Sequence, residues 1–586
     1  MGRVSRVPPA FAWALACCLS LLLWSGSVVA APEGEAYPPM YRDAALFQWA
    51  MRQAVATPSV PAGTRVSGLT VPHHLLVAPL IAEGFARLRG QSYERIIILS
   101  PDHNSWGKTY FSVPGRDFAT CLGPVPLDRQ AVAALLGNPL VSVSHLFARE
   151  HGVQALLPFV AASFPGVPVV PITLRVRAGQ PDWDSLADTL IPLLTPRTLI
   201  IQSTDFSHYL PGDEAAGKDQ ETLHVLSGDD PKTVSLLGQP EHLDSKAAQY
   251  LQLKLQRQVW GAHLSIEANA NARDFMPLTS NAGEPQRTTS YIVQIYADHI
   301  LPSRRERVFF GGDFFTGRHL TALLAQPDER ALLVRRIGEV TAGAPLIVNF
   351  EGVLMDQCPD DDAATTRELR LCMPKETTLG LMRELNIVAV SLANNHIHDF
   401  GDEALAATRR ALQQAGIAAL GQGEMIQLPL LTLAAFTDVD NKHEPRARIL
   451  QGSDFAALAA AKKVGKPSGN PLGKPLAIML HYGREFRPAP DYRQQDLVDM
   501  LERRGADIIV GSHSHQPGRL TGRPGRIWAW SLGNFLFDQS RQEAGCALLE
   551  LVFFPQGTYW ARQHELGNLY NALRAGAGGR QKGPPH

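Results

Sequence analysis

The sequence predicts an α/β protein made of two domains. With 586 residues, the chain has room for up to four domains of ~150 residues or for two large α/β domains. In both halves, short apolar runs rich in β-branched residues alternate with stretches whose apolar residues recur at helical spacing. The polar segment Leu301–Arg307 separates the two halves. This alternation is typical of buried sheets flanked by helices.

The expected strands are apolar runs that are too short for helices. In the first half they lie at Arg95–Leu99, Val167–Val170 and Thr198–Ile201, with a helix over Asp184–Leu194. In the second half they begin near Phe309, Leu346, Ile387, Leu476 and Asp507. The predicted organisation is a signal peptide or anchor at 1–30, a domain at 36–299, a linker at 300–306, a domain at 307–575 and a disordered tail at 576–586. A mobile loop is expected at Lys462–Lys474.

Composition excludes some classes of partner. The chain is 45% hydrophobic and 19% charged, with a formal net charge of -1. This balance is typical of a globular protein with buried cores. A net charge near zero, without a long basic run, creates no field that attracts nucleic acid. We therefore expect no nucleic-acid partner.

The N-terminal segment predicts export. Arg3 and Arg6 precede the apolar run Phe11–Trp24, and small residues follow up to Ala30. This pattern indicates a signal peptide cleaved after Ala30. The alternative is an uncleaved membrane anchor, because the apolar stretch approaches the ~20 residues that span a bilayer. Either way, we expect a periplasmic or extracellular protein, and the anchor would associate it with the membrane.

Export also affects the interpretation of the cysteines. Cys358 and Cys372 bracket an acidic, polar stretch. In an oxidising compartment such a pair often closes a loop, so a disulfide is expected here. Metal ligation by cysteine is disfavoured because the sequence has no Cys-x-x-Cys pair.

In the second half, each predicted strand is followed by a polar residue able to bind metal. These residues are Asp313, Glu351, Asn395 with His396, His481, and His513 with His515. Ligand sites of α/β sheets form at the carboxyl ends of strands, so we expect the five strands to deliver these side chains to one rim. Each residue alone is also compatible with a turn or a structural histidine. Together they outline a binuclear site for Mn, Fe or Zn rather than Ca.

Six segments of this half resemble a known family. GDFFTGR, VNFEG, SLANNHIHDFG, HYGREF, GADIIVGSHSH and SLGNFLFD resemble the CapA-type poly-gamma-glutamate (capsule) synthesis proteins, a branch of the calcineurin-like metallophosphatases. The resemblance covers about Arg307–Phe554, with every segment in order. It implies a metallophosphatase-like αββα sandwich that performs metal-assisted phosphoester hydrolysis with two divalent ions. The implied metal ligands are Asp313, Glu351, Asn395, His481, His513 and His515.

The same resemblance implies roles for other residues. His396 would act beside the metals as acid or electrostatic catalyst, and Asp399 would orient it. Arg318 would either bind an anionic substrate or pair with a surface carboxylate. Two positions depart from the wider phosphatase pattern, because Phe315 replaces a histidine ligand and Glu351 replaces the bridging aspartate. The missing ligand leaves open whether both metals bind.

The first half has its own histidine-bearing junctions at strand ends and at a helix start. They contain His73, His103, Glu150 with His151, and Asp205 with His208. We expect a pocket that binds one metal, and two histidines with a carboxylate suit non-haem iron. The alternative is that these residues serve as helix caps and turn residues.

Four segments of this half, PHHLL, LSPDH, EHGVQALLPF and STDFSHY, resemble the Memo family, also called AmmeMemoRadiSam system protein B. The resemblance covers about Tyr41–Ala297 and implies a fold similar to class III extradiol dioxygenases. It implies one Fe, Cu or Zn ion in a pocket lined by His73, His103, Glu150, His151, Asp205 and His208. The family usually carries a cysteine in a CGxG-like stretch, whereas the corresponding segment here is Val259–His263. This departure suggests His263 as a substitute ligand and argues against thiol chemistry.

The expected function is that of an exported, metal-dependent phosphoesterase-like enzyme of capsule, poly-gamma-glutamate or envelope metabolism. Its substrate would be an anionic small molecule or an envelope polymer, and its other half would be a Memo-like metal-binding domain. One alternative is a non-enzymatic, metal-stabilised scaffold that binds polymer in a synthesis complex. Another is a Memo-type redox metalloprotein. The sequence does not specify an oligomeric state.

Overall fold

The structure of the chain is a computed structural model that divides into two compact units. It describes residues 35–275, 287–359, 369–440, 472–487 and 489–580. The first unit contains the described residues up to Lys218 together with Leu237–Leu301, and the second contains Asp219–Leu236 and the described residues from Pro302 onward. Both units mix helices and strands, which confirms a two-domain α/β protein.

Some predicted segments lie outside the described residues. These are the signal peptide or anchor at 1–30, most of the loop at Lys462–Lys474, and the last part of the tail, 581–586. Among the described helices, none is long and apolar enough to cross a membrane.

The first unit contains eleven strands and eight α-helices within the described ranges. The strands are β1 Val66–Val71, β2 Arg95–Pro101, β3 Phe111–Val113, β4 Phe118–Thr120, β5 Gly123–Val125, β6 Val141–Val143, β7 Val169–Leu174, β8 Thr198–Ser203, β9 Phe206–Leu210, β10 His263–Asn271 and β11 Thr288–Ala297. The helices are α1 Ala44–Gln53, α2 Ala78–Arg87, α3 Arg129–Leu135, α4 His151–Gln154, α5 Leu157–Ser163, α6 Gln180–Leu190, α7 Gly212–Ser227, which crosses the unit boundary, and α8 Lys246–Leu255.

A nine-stranded sheet organises this unit. Its order is β10-β11-β1-β8-β2-β7-β3-β6, with β9 paired to β11. The central strands β1, β8, β2 and β7 are parallel. The run Ile96–Leu99 in β2 is fully buried, as expected for a parallel strand covered on both faces. Parallel pairing brings the carboxyl ends of β1, β8 and β2 to the same edge, where ligand sites form.

The second unit contains fourteen strands and six α-helices within the described ranges. The strands are β12 Glu306–Phe314, β13 Leu346–Phe350, β14 Val353–Met355, β15 Cys372–Pro374, β16 Ile387–Ser391, β17 Ala418–Leu420, β18 Met425–Gln427, β19 Thr432–Thr437, β20 Leu476–His481, β21 Ile508–Ser512, β22 Leu520–Arg523, β23 Arg526–Ala529, β24 Cys546–Phe553 and β25 Tyr559–Gly567. The helices are α9 His319–Leu324, α10 Pro327–Thr341, α11 Lys375–Glu384, α12 Gly401–Gln414, α13 Tyr492–Arg503 and α14 Leu569–Arg580.

Two six-stranded sheets form the frame of this unit. Their orders are β17-β16-β13-β12-β24-β25 and β18-β19-β20-β21-β23-β22. One buried apolar cluster contains residues of both sheets, including Phe310, Ile347, Ala435 and Met479, so the sheets pack face to face. Separate clusters bury helices α9 to α12 and α14 against the first sheet and α13 against the second.

The five strands expected to deliver the metal ligands divide between the two sheets. Strands β12, β13 and β16 belong to the first sheet, whereas β20 and β21 belong to the second. The strands are parallel within each group, so each group presents its carboxyl ends on one side. The apolar runs have the same pattern in both sheets, which is why the sequence did not separate them.

The C-terminal helix also differs from the prediction. Helix α14 continues to Arg580, so it includes residues 576–580 of the expected disordered tail. Leu569 and Leu573 of this helix are buried in the core of the second unit. Packing of this apolar face stabilises a helix that the glycine-rich sequence alone does not favour.

A disulfide joins Cys358 to Cys372, as expected from their position around the acidic loop. Cys372 begins β15, which pairs in parallel with β14. The backbone amide of the preceding residue, Leu371, donates a hydrogen bond of 2.7 Å to Oδ2 of Asp399. The disulfide therefore anchors a segment that contacts one of the predicted site residues.

Replacing both cysteines, Cys358→Ser with Cys372→Ser, is expected to lower the stability of the second unit. The closed loop separates the cysteines by 14 positions, and a loop of that size contributes about 3 kcal/mol by restricting the unfolded chain. Differential scanning calorimetry should show a lower unfolding temperature, which reduced wild-type protein should reproduce. The control is Cys121→Ser, since Cys121 is a free thiol in the first unit. An unchanged midpoint in the double variant would contradict the expectation.

Candidate metal centres

The first candidate centre lies at the carboxyl ends of the two strand groups in the second unit. Asp313 lies in β12, Glu351 follows β13, and Asn395 and His396 follow β16. His481 ends β20, and His513 and His515 follow β21. The ligand atoms of Asp313, Glu351 and His515 lie within 4.8 Å of one another and are buried. This group could hold a metal ion.

Asp313 is held by hydrogen bonds and by imidazoles. Its Oδ1 accepts a bond of 2.8 Å from Nδ2 of Asn349, and its Oδ2 accepts one of 3.1 Å from the backbone amide of His513. Nδ1 of His515 lies 3.3 Å from the same Oδ2. Burial would raise the pKa of Asp313, but the hydrogen bond from His515 and the charges of His481 and His515 lower it to about 2. Asp313 is therefore an ionised carboxylate in the core.

Glu351, in contrast, has a carboxyl oxygen that accepts no hydrogen bond from the described part of the chain. Its Oε2 is buried and has no hydrogen-bond partner among the described residues. Burial, reinforced by the neighbouring Asp313, raises the pKa of Glu351 to about 8. A carboxylate in this position is unfavourable unless a cation or donor compensates it. The unpartnered oxygen fits a metal ligand.

Asn395, His481 and His513 provide neutral donor atoms. Nε2 of His481 lies 2.8 Å from Oδ1 of Asn395, so two predicted ligands face each other. Burial, and then the neighbouring His513, hold the pKa of His481 well below its usual range. Burial likewise lowers the pKa of His513 to about 4, and Nδ1 of His513 has no hydrogen-bond partner in the described part of the chain. Metal binding requires neutral imidazoles of this kind.

The backbone after β21 is strained at both histidines. His513 has a φ of 89° and His515 a φ of 56°, in the left-handed region that residues other than glycine rarely adopt. Such strain is found where a site requires particular side-chain positions. Here it brings His513 and His515 to the buried carboxylates. The sequence did not reveal this feature.

His396 and Asp399 form a pair beside the carboxylates. Nδ1 of His396 lies 2.8 Å from Oδ2 of Asp399, and its Nε2 lies 3.8 Å from Oε1 of Glu351. Burial would lower the pKa of His396, but the hydrogen bond to Asp399 and the charge of Glu351 give a net rise. Asp399 also accepts the bond from Leu371, so this carboxylate directs Nε2 of His396 toward Glu351.

Arg318 pairs with a buried carboxylate rather than with the surface carboxylate named as one of its two expected partners. Its guanidinium forms a two-point ion pair with Asp538, whose side chain is 1% exposed. It also lies over the rings of Phe315 and Phe537. The ring of Phe537 is 5.2 Å from that of His515. Arg318 is thus linked to the centre through an aromatic ring.

The donor set of this centre fits divalent metal. Two carboxylates, three imidazoles and an amide oxygen suit Mn, Fe or Zn. The unpartnered Glu351 Oε2 and His513 Nδ1 are the structural observations that support the fit.

The second candidate centre lies at the sheet edge of the first unit. His73 follows β1, His103 follows β2, Asp205 follows β8, and His208 lies in β9. Two groups that include the buried His73 could hold a metal ion there: one adds the less buried His103 and His151, and the other adds the buried Asp205 and Asp244. Burial, together with the charges of His103 and His151, keeps the pKa of His73 well below its usual range.

Glu150 lies behind His103. Its Oε1 lies 2.6 Å from Nδ1 of His103, and its Oε2 accepts a bond of 3.2 Å from the backbone amide of His103. Oε1 also accepts a bond of 3.0 Å from the amide of Gly152, which caps α4. Glu150 therefore orients His103. The ring of His151 lies against that of His103, with the ring centres 3.8 Å apart and the planes tilted by 34°.

Sequence reasoning missed Asp244 and misassigned His263. Asp244 lies in the centre, and its Oδ2 accepts a bond of 3.1 Å from the backbone amide of Asp205. His263, in contrast, begins the edge strand β10 and is exposed. The correction has a simple physical reason. Asp244 directly precedes Ser245, the N-cap of α8, so its segment has the appearance of an ordinary helix start.

Comparison with known proteins assigns each half to a family. A model described as Memo-like protein matches residues 30–251. A model described as bacterial capsule synthesis protein PGA_cap matches residues 307–428 and 441–539. The N-terminal half is therefore a Memo-like domain, and the C-terminal half is a PGA_cap domain. Both resemblances seen in the sequence are confirmed.

Individual relatives match one domain each. A MEMO1 family protein of Thermotoga sp. (strain RQ2) is 30% identical over 185 residues, covering 30% of this chain and 66% of the relative. The PGA biosynthesis protein CapA of Bacillus subtilis (strain 168) is 26% identical over 267 residues, covering 42% of this chain and 66% of the relative. The capsule biosynthesis protein CapA of Bacillus anthracis is 26% identical over 247 residues, covering 39% of this chain and 59% of the relative. The chain thus spans less than two thirds of the length of each of these relatives.

Replacing Glu351 by glutamine is expected to have opposite effects on the metal-free and metal-loaded protein. Without metal, Glu351→Gln removes a buried carboxylate with an unpartnered oxygen, so the free energy of unfolding should rise by about 1–3 kcal/mol. The stabilisation that added Mn or Zn provides to wild-type protein should be lost. Calorimetry of the full chain with chelator and with metal measures both effects.

A matched control is available in the same domain. Glu550 is as buried as Glu351, but it is paired with Arg562 and His564. Glu550→Gln should therefore destabilise the protein with and without metal, by about 3 kcal/mol. If Glu351→Gln retained the full metal-dependent stabilisation, Glu351 would not be a ligand.

Proposed function

We propose that this protein is an exported enzyme whose PGA_cap domain hydrolyses a phosphoester with the help of divalent metal. Its role would be in capsule, poly-gamma-glutamate or other envelope metabolism, in keeping with the names of its CapA relatives. In this proposal the PGA_cap domain has the αββα sandwich of the metallophosphatases, and the Memo-like domain has a fold similar to class III extradiol dioxygenases.

The proposal is supported by a buried group of metal-binding side chains with a histidine at its edge. Asp313, Glu351 and His515 meet in a buried group, and His396 stands beside it with Nε2 3.8 Å from Glu351. Buried donors of this kind are used to hold metal, whereas an imidazole at the edge of the group is suited to proton transfer. His396 is 14% exposed at its side chain, so a substrate can approach it from solvent.

The residues of this chain provide specific parts of the reaction. Asp399 holds Nδ1 of His396, which leaves Nε2 to carry a proton toward the substrate. As water adds to phosphorus and the bond to the leaving oxygen breaks, that oxygen can accept the proton from Nε2 of His396. Bound divalent ions would supply the positive charge that stabilises the phosphoryl oxygens.

The substrate is proposed to be an anionic small molecule or an envelope polymer, and not a nucleic acid. Export to the periplasm or the cell exterior is proposed from the N-terminal sequence, together with an association with the membrane if that segment is retained. Capsule biosynthesis by the CapA relatives is compatible with this location.

A second candidate is a metal-stabilised scaffold that binds polymer without hydrolysing it. Phe315 favours this possibility, because it occupies the position of a metal ligand in the wider phosphatase pattern and its side chain is buried against Phe537. A centre with fewer ligands can retain structural metal while losing catalysis.

Replacing His396 by alanine distinguishes the two candidates. His396→Ala should reduce metal-dependent hydrolysis of a phosphoester panel by about 10²–10⁴-fold, because it removes the proton donor, while bound metal and unfolding temperature change little. The assay uses the full chain loaded with Mn, Fe or Zn. Metal content is measured in the same samples by plasma mass spectrometry.

The matched control is His398→Ala. His398 lies two residues further along the same loop and pairs with Asp402, so its loss should leave the rate within about twofold. Wild-type protein that is fully loaded yet inactive across the panel would overturn the enzyme proposal. Capture of envelope polymer that survives His396→Ala would then support the scaffold.

A further inference from the structure

Three imidazoles of the Memo-like domain converge on one oxygen. Nε2 of His73 lies 3.3 Å from Oδ2 of Asp244, Nε2 of His103 lies 3.8 Å from it, and Nε2 of His208 lies 3.9 Å from it. Two ligands bound at about 2.1 Å to one tetrahedral ion are separated by about 3.4 Å. The observed separations are close to that value.

The hydrogen bonds of His73 direct its lone pair at Asp244. The hydroxyl of Ser203 donates its only hydrogen to the carbonyl of Gly152. Nδ1 of His73, 3.0 Å from the same hydroxyl oxygen, must therefore donate its own hydrogen. In the neutral imidazole, Nε2 then carries a lone pair that faces a carboxylate oxygen. This contact is repulsive unless a cation lies between the two atoms.

His103 is oriented in the same way. Its Nδ1 donates to Glu150, which as a carboxylate can only accept, and this leaves Nε2 directed at Asp244. A carboxylate behind a histidine is the usual support of a metal-binding imidazole. Two different partners, Ser203 and Glu150, thus direct two imidazoles at the same oxygen.

Two buried polar atoms near these imidazoles also lack partners. Asp205 Oδ2 lies 3.6 Å from Nε2 of His73, so two buried carboxylates share this small volume. Within the described part of the chain, their ion pairs are with histidines alone. Oδ1 of Asp244 and Nδ1 of His208 are both buried without a hydrogen-bond partner among the described residues. A metal ion bound beside Asp244 and His208 would provide a polar partner in this buried volume.

We propose that Asp244 is a metal ligand of the Memo-like domain, together with His73, His103 and His208, and that its oxygen selects a divalent ion over Cu(I). Carboxylate oxygen is a hard donor and imidazole a borderline one, and this combination suits Fe(II), Mn(II) or Zn(II). Cu(I) prefers thiolate and thioether sulfur. In this chain the residue that faces the three histidines is a carboxylate, Asp244. The proposal is independent of the hydrolytic function proposed for the other domain.

Direct coordination can be tested with Co(II) and Cu(I) in the full chain carrying Asp313→Asn, which serves as the parent protein. This substitution is expected to prevent metal binding at the centre of the PGA_cap domain, so that the metal measured is bound by the Memo-like domain. Asp244→Ala should weaken Zn(II) binding by at least about 100-fold, more than the loss of a supporting residue does. Asp244→Cys should bind Co(II) with a thiolate-to-cobalt charge-transfer band that the parent lacks. It should also take Cu(I) from bicinchoninate, whereas the parent should not.

The control is Asp102→Asn. Asp102 directly precedes His103 and is buried, but its oxygens accept the backbone amides of Trp106 and Gly107. Its loss should leave the Zn(II) affinity within about threefold. Unchanged Zn(II) affinity in Asp244→Ala, or a folded Asp244→Cys variant without the charge-transfer band, would overturn the proposal. The band in Asp244→Cys keeps the test valid if Asp244→Ala fails to fold.

Discussion

Both domains bury carboxylates near the ends of parallel strands, and the arrangement of each candidate centre depends on how these carboxylates are compensated. Removing an ionised carboxylate from water is strongly unfavourable unless donors or a cation compensate it. Asp313 is compensated by Asn349, by His515 and by a backbone amide. Glu351 and Asp244, however, each retain an oxygen without a hydrogen-bond partner among the described residues. These unpartnered oxygens lie in the two candidate centres, beside the strand ends where ligand sites form, and divalent cations would provide partners for them.

In both domains a carboxylate orients an imidazole through a hydrogen bond at Nδ1. Asp399 holds His396, and Glu150 holds His103. Each of these carboxylates is itself fixed by backbone amides, from Leu371 in one case and from Gly152 and His103 in the other. Such support defines which ring nitrogen is available. Similar local chemistry has therefore been built on two different sheet arrangements.

Residues that directly follow an apolar run were the predictable part of both centres. His73, His103, Asp313 and His481 were found in this way, because the end of the run marks the end of the strand. Asp244 was missed because it lies in a polar turn before a capped helix, where aspartate is ordinary. His263 was suggested as a ligand because it lies in the segment that resembles the cysteine-bearing stretch of the family. Its position at an edge strand becomes evident only when β10 pairs with β11.

The sequence by itself determined the alternation of strands and helices, the chemical types of the donors, the separation into a Memo-like and a PGA_cap domain, and the cysteine pair that closes the acidic loop. These properties depend on neighbouring residues and on side-chain chemistry. Only the tertiary structure decided that β20 and β21 belong to a different sheet from β12, that Asp244 faces three histidines, and that Arg318 is held by Asp538. Those contacts join residues far apart in the chain, so they depend on long-range strand pairing and on how the sheets pack.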